Sequence, residues 1–299
     1  MRCSLQDSLV WLYSDSEVGA RPCSTIALDV ARGGTAAVTI LVNDARPGVP
    51  IQLALSPAPK VWTAYRLVDV PVEQNTGFDG FCERDGQVNP HVTRKAPFRV
   101  FDALEPVDAA GFKATAATQA LRIHVPVMRT ARPGVKQMVC AVTHGDAHAV
   151  LKIRLTIHAV QMPPAGVASF PYTNWYSVIN MAERHGLKPW SEGHWRMIRR
   201  YADLMCQGRQ NTFIVPLSLI FSRDKNGAPA LNCPRLRRWV RTFTDAGLHY
   251  IEGGHFGGRT GNAWGAPTFS IGLTQSLATS PEGNADIAAI AGQLMEEID

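Results

Sequence analysis

The feature that most constrains this chain's fold is a change in the spacing of its apolar residues near residue 160. Before that point the period is two, which puts alternate side chains on one buried face of a strand. The clearest run is Leu151-Lys152-Ile153-Arg154-Leu155-Thr156-Ile157-His158, apolar at odd positions and polar at even ones. Noisier runs of the same kind cover residues 23–30, 35–42, 61–70, 121–127 and 135–142. Turn residues separate them: Arg32-Gly33-Gly34, Asp44-Ala45-Arg46-Pro47-Gly48, Arg132-Pro133-Gly134 and His144-Gly145-Asp146. Short strands joined by Gly/Pro turns, with no helical stretch between them, predict an antiparallel β-sandwich over residues 1–161.

After Met162-Pro163-Pro164-Ala165-Gly166, which reads as a linker, the period becomes helical. Residues 166–172 are a short apolar segment, read as a first strand. Ser191 reads as an N-cap, Trp195, Ile198, Ala202 and Met205 as one helical stripe, and Gly208 as the C-terminal cap. Then come a strand over residues 212–220, a helix opened by Asn232 and Pro234 and closed near Gly247, and a strand at residues 249–251. A last helix follows Ser280-Pro281, with Ile287, Ile290, Ala291, Leu294 and Ile298 on one side. Alternating strands and helices predict parallel pairing through right-handed crossovers. The expected fold class is therefore multidomain β and α/β: the sandwich, then, over residues 166–299, the N-terminal part of an incomplete (β/α)8 barrel. Three βα units fall short of the roughly 250 residues that such a barrel takes. The chain reads as cut short within Glu296-Glu297-Ile298-Asp299, and self-association through the unclosed barrel is the expected consequence.

Composition narrows the function classes. Hydrophobic residues make up 45% and charged residues 18%, and mean hydropathy is -0.06, which fits neither a disordered chain nor a membrane protein. No apolar run is long enough for a membrane span. The start, Met1-Arg2-Cys3-Ser4-Leu5-Gln6-Asp7, lacks the pattern of a secretory signal, and localisation is left open. The net charge of +5 is spread along the chain, so no dedicated nucleic-acid surface is expected. The densest basic run, Arg235-Leu236-Arg237-Arg238 with Arg241, interleaves with Leu236, Trp239, Val240 and Phe243 at helical spacing and reads as a solvated helix face.

Cysteines at 3, 23, 82, 140, 206 and 233 are too sparse for a disulfide scaffold and form no C-x-x-C pair. His144-Gly145-Asp146-Ala147-His148 gathers metal-ligand types, yet Gly145-Asp146 suits a tight hairpin, and no metal is assigned. Gly253, Gly254, Gly257, Gly258 and Gly261 match neither dinucleotide nor phosphate-loop spacing, and no cofactor is expected.

In parallel α/β architectures functional groups gather past the C-terminal ends of strands. Here those places hold Asn174 and Trp175, residues 216–222, and the stretch from Glu252 to Arg259. Trp175 and Trp264 lie in predicted loops, where a planar ring suits the apolar face of a sugar; ordinary packing is the alternative. Glu252 and His255 could act as acid/base groups, bind sugar hydroxyls, or tie down the glycine-rich loop.

These residues carry a resemblance. Leu121-Arg122-Ile123-His124-Val125-Pro126-Val127, then Ala131-Arg132-Pro133-Gly134 and the strands to Gln161-Met162-Pro163, resemble the sandwich that precedes the barrel in glycoside hydrolases related to the bacterial β-N-acetylgalactosaminidases. Val70-Pro71-Val72-Glu73-Gln74-Asn75-Thr76 is similar as well, as are Asn174-Trp175-Tyr176, Trp190-Ser191-Glu192-Gly193-His194-Trp195 and the Asn211 strand, so the likeness spans about residues 60–299. It implies a neighbouring Asp-Glu pair late on a barrel strand. The glutamate would protonate the leaving group, and the aspartate would orient the substrate's own acetamido group as nucleophile. That pair is expected beyond Asp299, and no catalytic residue is assigned within the chain.

The expectation is a glycoside hydrolase-like protein acting on N-acetylhexosamine-containing glycans by substrate-assisted retaining hydrolysis in its full-length form. Its glycan contacts would be Asn174, Trp175, Glu252, His255 and Trp264. Two other readings stay open: a non-catalytic carbohydrate-binding or surface protein that kept the architecture, and an interaction module that uses the sandwich as an adhesive surface.

Overall fold

A computed structural model describes residues 1–77 and 89–298; Cys82 lies outside the described residues, and so does the side chain of Ile298. The chain divides into two compact units, Met1–Pro163 and Pro164–Asp299.

The first unit holds β1 (Arg2–Asp7), β2 (Thr25–Arg32), β3 (Thr35–Asn43), β4 (Pro50–Ser56), β5 (Thr63–Val72), β6 (Phe98–Val107), β7 (Phe112–Lys113), β8 (Gln119–Pro126), β9 (Gly134–His144) and β10 (Ala147–Gln161). They form two five-stranded sheets, ordered β1-β3-β8-β5-β6 and β2-β10-β9-β4-β7. One apolar core joins them: Val38, Ile40, Leu121 and Ile123 from the first sheet meet Leu53, Val142, Leu151 and Ile153 from the second. Each such side chain contributes about 1.5–3 kcal/mol by leaving water, which is why the period-two pattern dominates this half.

The antiparallel sandwich that the sequence predicts is corrected at one pair: β2 runs parallel to β10. Consecutive β2 and β3 lie in different sheets and turn between them at Gly33-Gly34, where Gly33 takes φ 80. The parallel register then sets Ile26, Leu28 and Val30 beside Ile153, Leu155 and Ile157, completing the apolar face. The histidine-rich segment is a hairpin turn. His144 is buried, its Nε2 accepting from the Arg46 backbone N–H (2.7 Å) while Nδ1 donates to the Pro50 carbonyl (3.1 Å), so both ring nitrogens are committed to structure.

In the second unit come α1 (Val178–Arg184), α2 (Glu192–Gln207), β11 (Thr212–Val215), α3 (Leu217–Ile220), β12 (Phe221–Arg223), β13 (Pro229–Leu231), α4 (Cys233–Thr244), β14 (Tyr250–Gly253), β15 (Gly257–Arg259), β16 (Phe269–Ile271) and α5 (Pro281–Ile298). Ser191 Oγ caps α2 by accepting from the His194 N–H, and Trp195, Ile198, Ala202 and Met205 are buried. Asn232 caps α4 in the same way, with Pro234 in the first turn.

Several expectations for this unit are corrected. Residues 166–172 are not a strand: Pro171 has no N–H to offer a ladder, and neighbouring side chains take over the pairing. The strand expected over 212–220 stops at Val215, since Pro216 ends it and one helical turn follows. Among the described residues of the second unit only β11 and β14 pair in parallel, β12/β13 and β15/β16 are separate antiparallel hairpins, and no closed barrel forms. Three of the four arginines of α4 have partners while remaining at the surface. Arg235 lies 4.4 Å over Trp190, Arg238 lies 4.6 Å over Trp195 while gripping Glu192, and Arg237 holds Glu297 of α5. No helix among the described residues is long and apolar enough to cross a membrane.

Candidate functional site

The parallel pair β11/β14 is short, and its packing decides which way its side chains face. Phe213 stacks on Phe243 of α4 with ring centroids 4.8 Å apart and planes 9° apart, and Trp239 lies beside Phe243 at 4.9 Å. The Trp239 indole N–H donates to the Ile214 carbonyl at 3.0 Å, tying helix to strand. Because side chains alternate along a strand and Ile214 is opposite Glu252 in register, Ile214 and Glu252 fall on the face away from α4.

At the C-terminal end of this pair the Gly254 N–H donates to the Val215 carbonyl at 2.9 Å. A Cβ on Gly254 would run into that same carbonyl oxygen, so the close backbone approach demands glycine there. The turn then delivers His255 to the surface.

Opposite lies the segment Tyr172–Trp175, positioned by two amide side chains at the start of β11. Asn211 Oδ1 accepts from the Tyr172 N–H (2.8 Å), and Gln210 Oε1 accepts from the Asn174 N–H (3.0 Å). The Tyr172 carbonyl in turn accepts from the N–H groups of Asn211 and Thr212. Asn211 is fully buried, and its Nδ2 also donates to the Gly166 carbonyl (3.0 Å) and Ser169 Oγ (2.9 Å). Two amide side chains, with backbone bonds at Tyr172 alone, thus stand in for the ladder that a true strand would have made.

This scaffold brings three of the five sequence candidates together. Trp175 Nε1 donates to Glu252 Oε2 at 3.0 Å, and the His255 ring stands edge-on to Trp175 with centroids 5.4 Å apart at 86°. Trp175 remains 62% exposed, so its ring is available to a ligand. Glu252 Oε1 accepts no hydrogen bond among the described residues, which leaves an acceptor beside an aromatic face. Asn174 adjoins in the chain with its backbone N–H committed to Gln210. Trp264 is not part of the group: it is 92% exposed in the loop between β15 and β16 and makes no ring contact among the described residues. Sequence reasoning overlooked Gln210 and gave Asn211 no structural role; two amides placed immediately before a short strand were the available signal.

Burial acts on two titratable side chains of the second unit. Burial pushes the Tyr176 phenol up, with the neighbouring Tyr201 adding to the effect. Burial lowers the pKa of His194, whose Nδ1 accepts from the Trp190 N–H at 2.9 Å and whose neutral form therefore carries its proton on Nε2. Among the described residues no cluster of three or more His, Cys, Asp or Glu side chains could hold a metal ion.

No protein-family model matches the chain, and no curated protein matches it. Solved structures do. The fold is similar to that of a family 123 glycoside hydrolase from Clostridium perfringens whose glycolipid glycan hydrolysis has been analysed, with 12% identity, a TM-score of 0.61, and coverage of 84% of this chain and 48% of that one. The chain therefore spans about half the length of that enzyme. Matches to a PapD-like domain of human CEP192 (11% identity, TM-score 0.23, 54% of this chain and 87% of that one) and to the CooA pilin subunit of enterotoxigenic Escherichia coli (17%, 0.20, 54% and 99%) carry no argument. The likeness that counts is a distant one, of fold, to a glycoside hydrolase.

Proposed function

We propose that the chain is the sandwich, residues 1–161, and the first βα part of a barrel, residues 166–299, of a glycoside hydrolase-like protein acting on N-acetylhexosamine-containing glycans. The observation that carries the reading is the Trp175–Glu252–His255 group at the C-terminal end of the β11/β14 pair. A sugar's C–H face stacks on an exposed indole, and its hydroxyls donate to a carboxylate already oriented by the indole N–H. Edge contact from His255 restrains the ring, so less entropy is lost on binding. Asn174 and Trp264 would extend the contact surface. Hydrolysis would follow the substrate-assisted route, in which the acetamido group of the sugar is the nucleophile, and would require an Asp-Glu pair in a longer form of the protein.

A second reading has its own support. Among the described residues of the second unit no neighbouring Asp-Glu pair stands at the end of a strand, so this group can bind a glycan without cleaving it, as a carbohydrate-binding or surface protein would.

The test is saturation-transfer NMR and calorimetry with N-acetylgalactosamine and N-acetylglucosamine oligosaccharides. Trp175→Ala should weaken binding by about 1–2 kcal/mol, the scale of a lost aromatic contact. Glu252→Gln, which keeps the shape and removes the charge, should weaken it by about 1 kcal/mol. Binding unchanged in both variants refutes the site. Turnover of an aryl N-acetyl-β-galactosaminide by the present chain would refute the need for a further carboxylate pair.

A further inference from the structure

A concave site lies within the first unit. β4 ends at Ser56, and Pro57-Ala58-Pro59 leads the chain off the sheet, so β4 pairs with β9 only from Val139 onward. Beside residues 134–138 the second sheet has lost a strand, and a cavity of about 450 Å3 opens there. Its walls come from both sheets: Val125 of β8 and Val127 just past that strand on one side, Met138, Leu155 and Ile157 on the other, all buried members of the core. At the mouth Val61 and Met128 are 59% and 62% exposed.

The charge at this apolar site is one-sided. Lys60 and Lys136 line it, and no acidic residue does. Lys136 is opposite Leu155 in register and in phase with Met138, Cys140 and Val142, which places it on the core-facing side of β9. Neither lysine has an ion-pair partner among the described residues. A lysine lays its methylenes along apolar surface and holds its ammonium at the rim, so the cavity complements an apolar chain ending in an anion.

We infer that this cavity binds the anion of a single-chain fatty acid, with the alkyl chain against Val125, Met138 and Leu155 and the carboxylate at Lys60 and Lys136. An inward-facing charge on a strand edge can instead guard against edge-to-edge pairing. That alternative predicts self-association once the charge is removed, and no ligand.

Calorimetric titration of the full chain with dodecanoate below its micellar concentration separates the two. Dodecanoate should bind saturably, and dodecyltrimethylammonium, of equal length and opposite charge, should not. Lys136→Glu should raise the dodecanoate Kd by about fivefold or more, and Val61→Asp, at the mouth, should act in the same direction. Both positions are exposed, and circular dichroism checks that each variant folds; Lys136→Gln, which removes the charge without reversing it, serves if Lys136→Glu does not fold. Absence of saturable binding, equal binding of the cationic amphiphile, or an unchanged Kd in the Lys136 variant overturns the inference. So does a Lys136→Val chain that associates in sedimentation while the native chain binds no dodecanoate.

Discussion

Replacing Asn211 by alanine tests whether one buried amide positions the Trp175 segment. The native side chain accepts from the Tyr172 N–H (2.8 Å) and Thr212 Oγ1 (3.1 Å), and donates to the Gly166 carbonyl (3.0 Å) and Ser169 Oγ (2.9 Å). At about 1 kcal/mol net per bond, four bonds amount to about 4 kcal/mol. Gly166 and Ser169 are only partly buried and Tyr172 is exposed, so water recovers some of this, and the expected loss is about 2–3 kcal/mol. Urea unfolding followed by tryptophan fluorescence reads it well, because Trp175, Trp190, Trp195, Trp239 and Trp264 all lie in the second unit. With a slope of about 2 kcal/mol/M the midpoint should fall by about 1–1.5 M. Asn211→Asp keeps the acceptor oxygen but loses both donated bonds and buries a charge, so it should cost at least as much. A shift below about 0.5 M for Asn211→Ala, or an aspartate variant as stable as the native protein, refutes the reasoning.

Two further outcomes follow from the same scaffold. Gly254→Ala forces a methyl group against the Val215 carbonyl and should destabilise the second unit by roughly 2 kcal/mol while displacing His255; an unchanged melting temperature would contradict the close approach. The unit should also lose stability in mild acid. Burial holds the pKa of His194 below its ordinary 6.5, so the unfolded chain takes up the proton first, and stability present at neutral pH is lost as pH falls below 6.5. His194→Asn, whose side-chain oxygen can still accept from Trp190, should flatten that dependence in thermal unfolding between pH 7 and pH 5, and an unaltered slope would assign it elsewhere.

Local patterns were legible because their physics is local. The alternation at residues 151–158, the caps Ser191 and Asn232, and the hairpin at Gly145-Asp146 each depend on a few adjacent residues, and the sequence alone determined them. Helical stripes were legible too, since burial follows a fixed turn angle: Trp195, Ile198, Ala202 and Met205 are all buried. That Glu252 and His255 stand at the end of a strand could likewise be read before any geometry was known.

What tertiary structure decided is long-range. Whether β2 runs parallel or antiparallel to β10 depends on which sheet claims β3, and nothing within β2 encodes that. Residues 166–172 carry apolar side chains like a strand, yet Asn211, some 39 positions beyond Tyr172, binds their backbone in place of a ladder. Trp175 and Glu252 are 77 positions apart, and only the folding of both onto the end of β11/β14 makes them partners. The lysine-lined cavity exists because β4 leaves its sheet before β9 ends, so Lys136 meets open space where the alternation by itself would have placed core. In each case the deciding energy is a contact between segments distant in the chain, which period, propensity and composition cannot register.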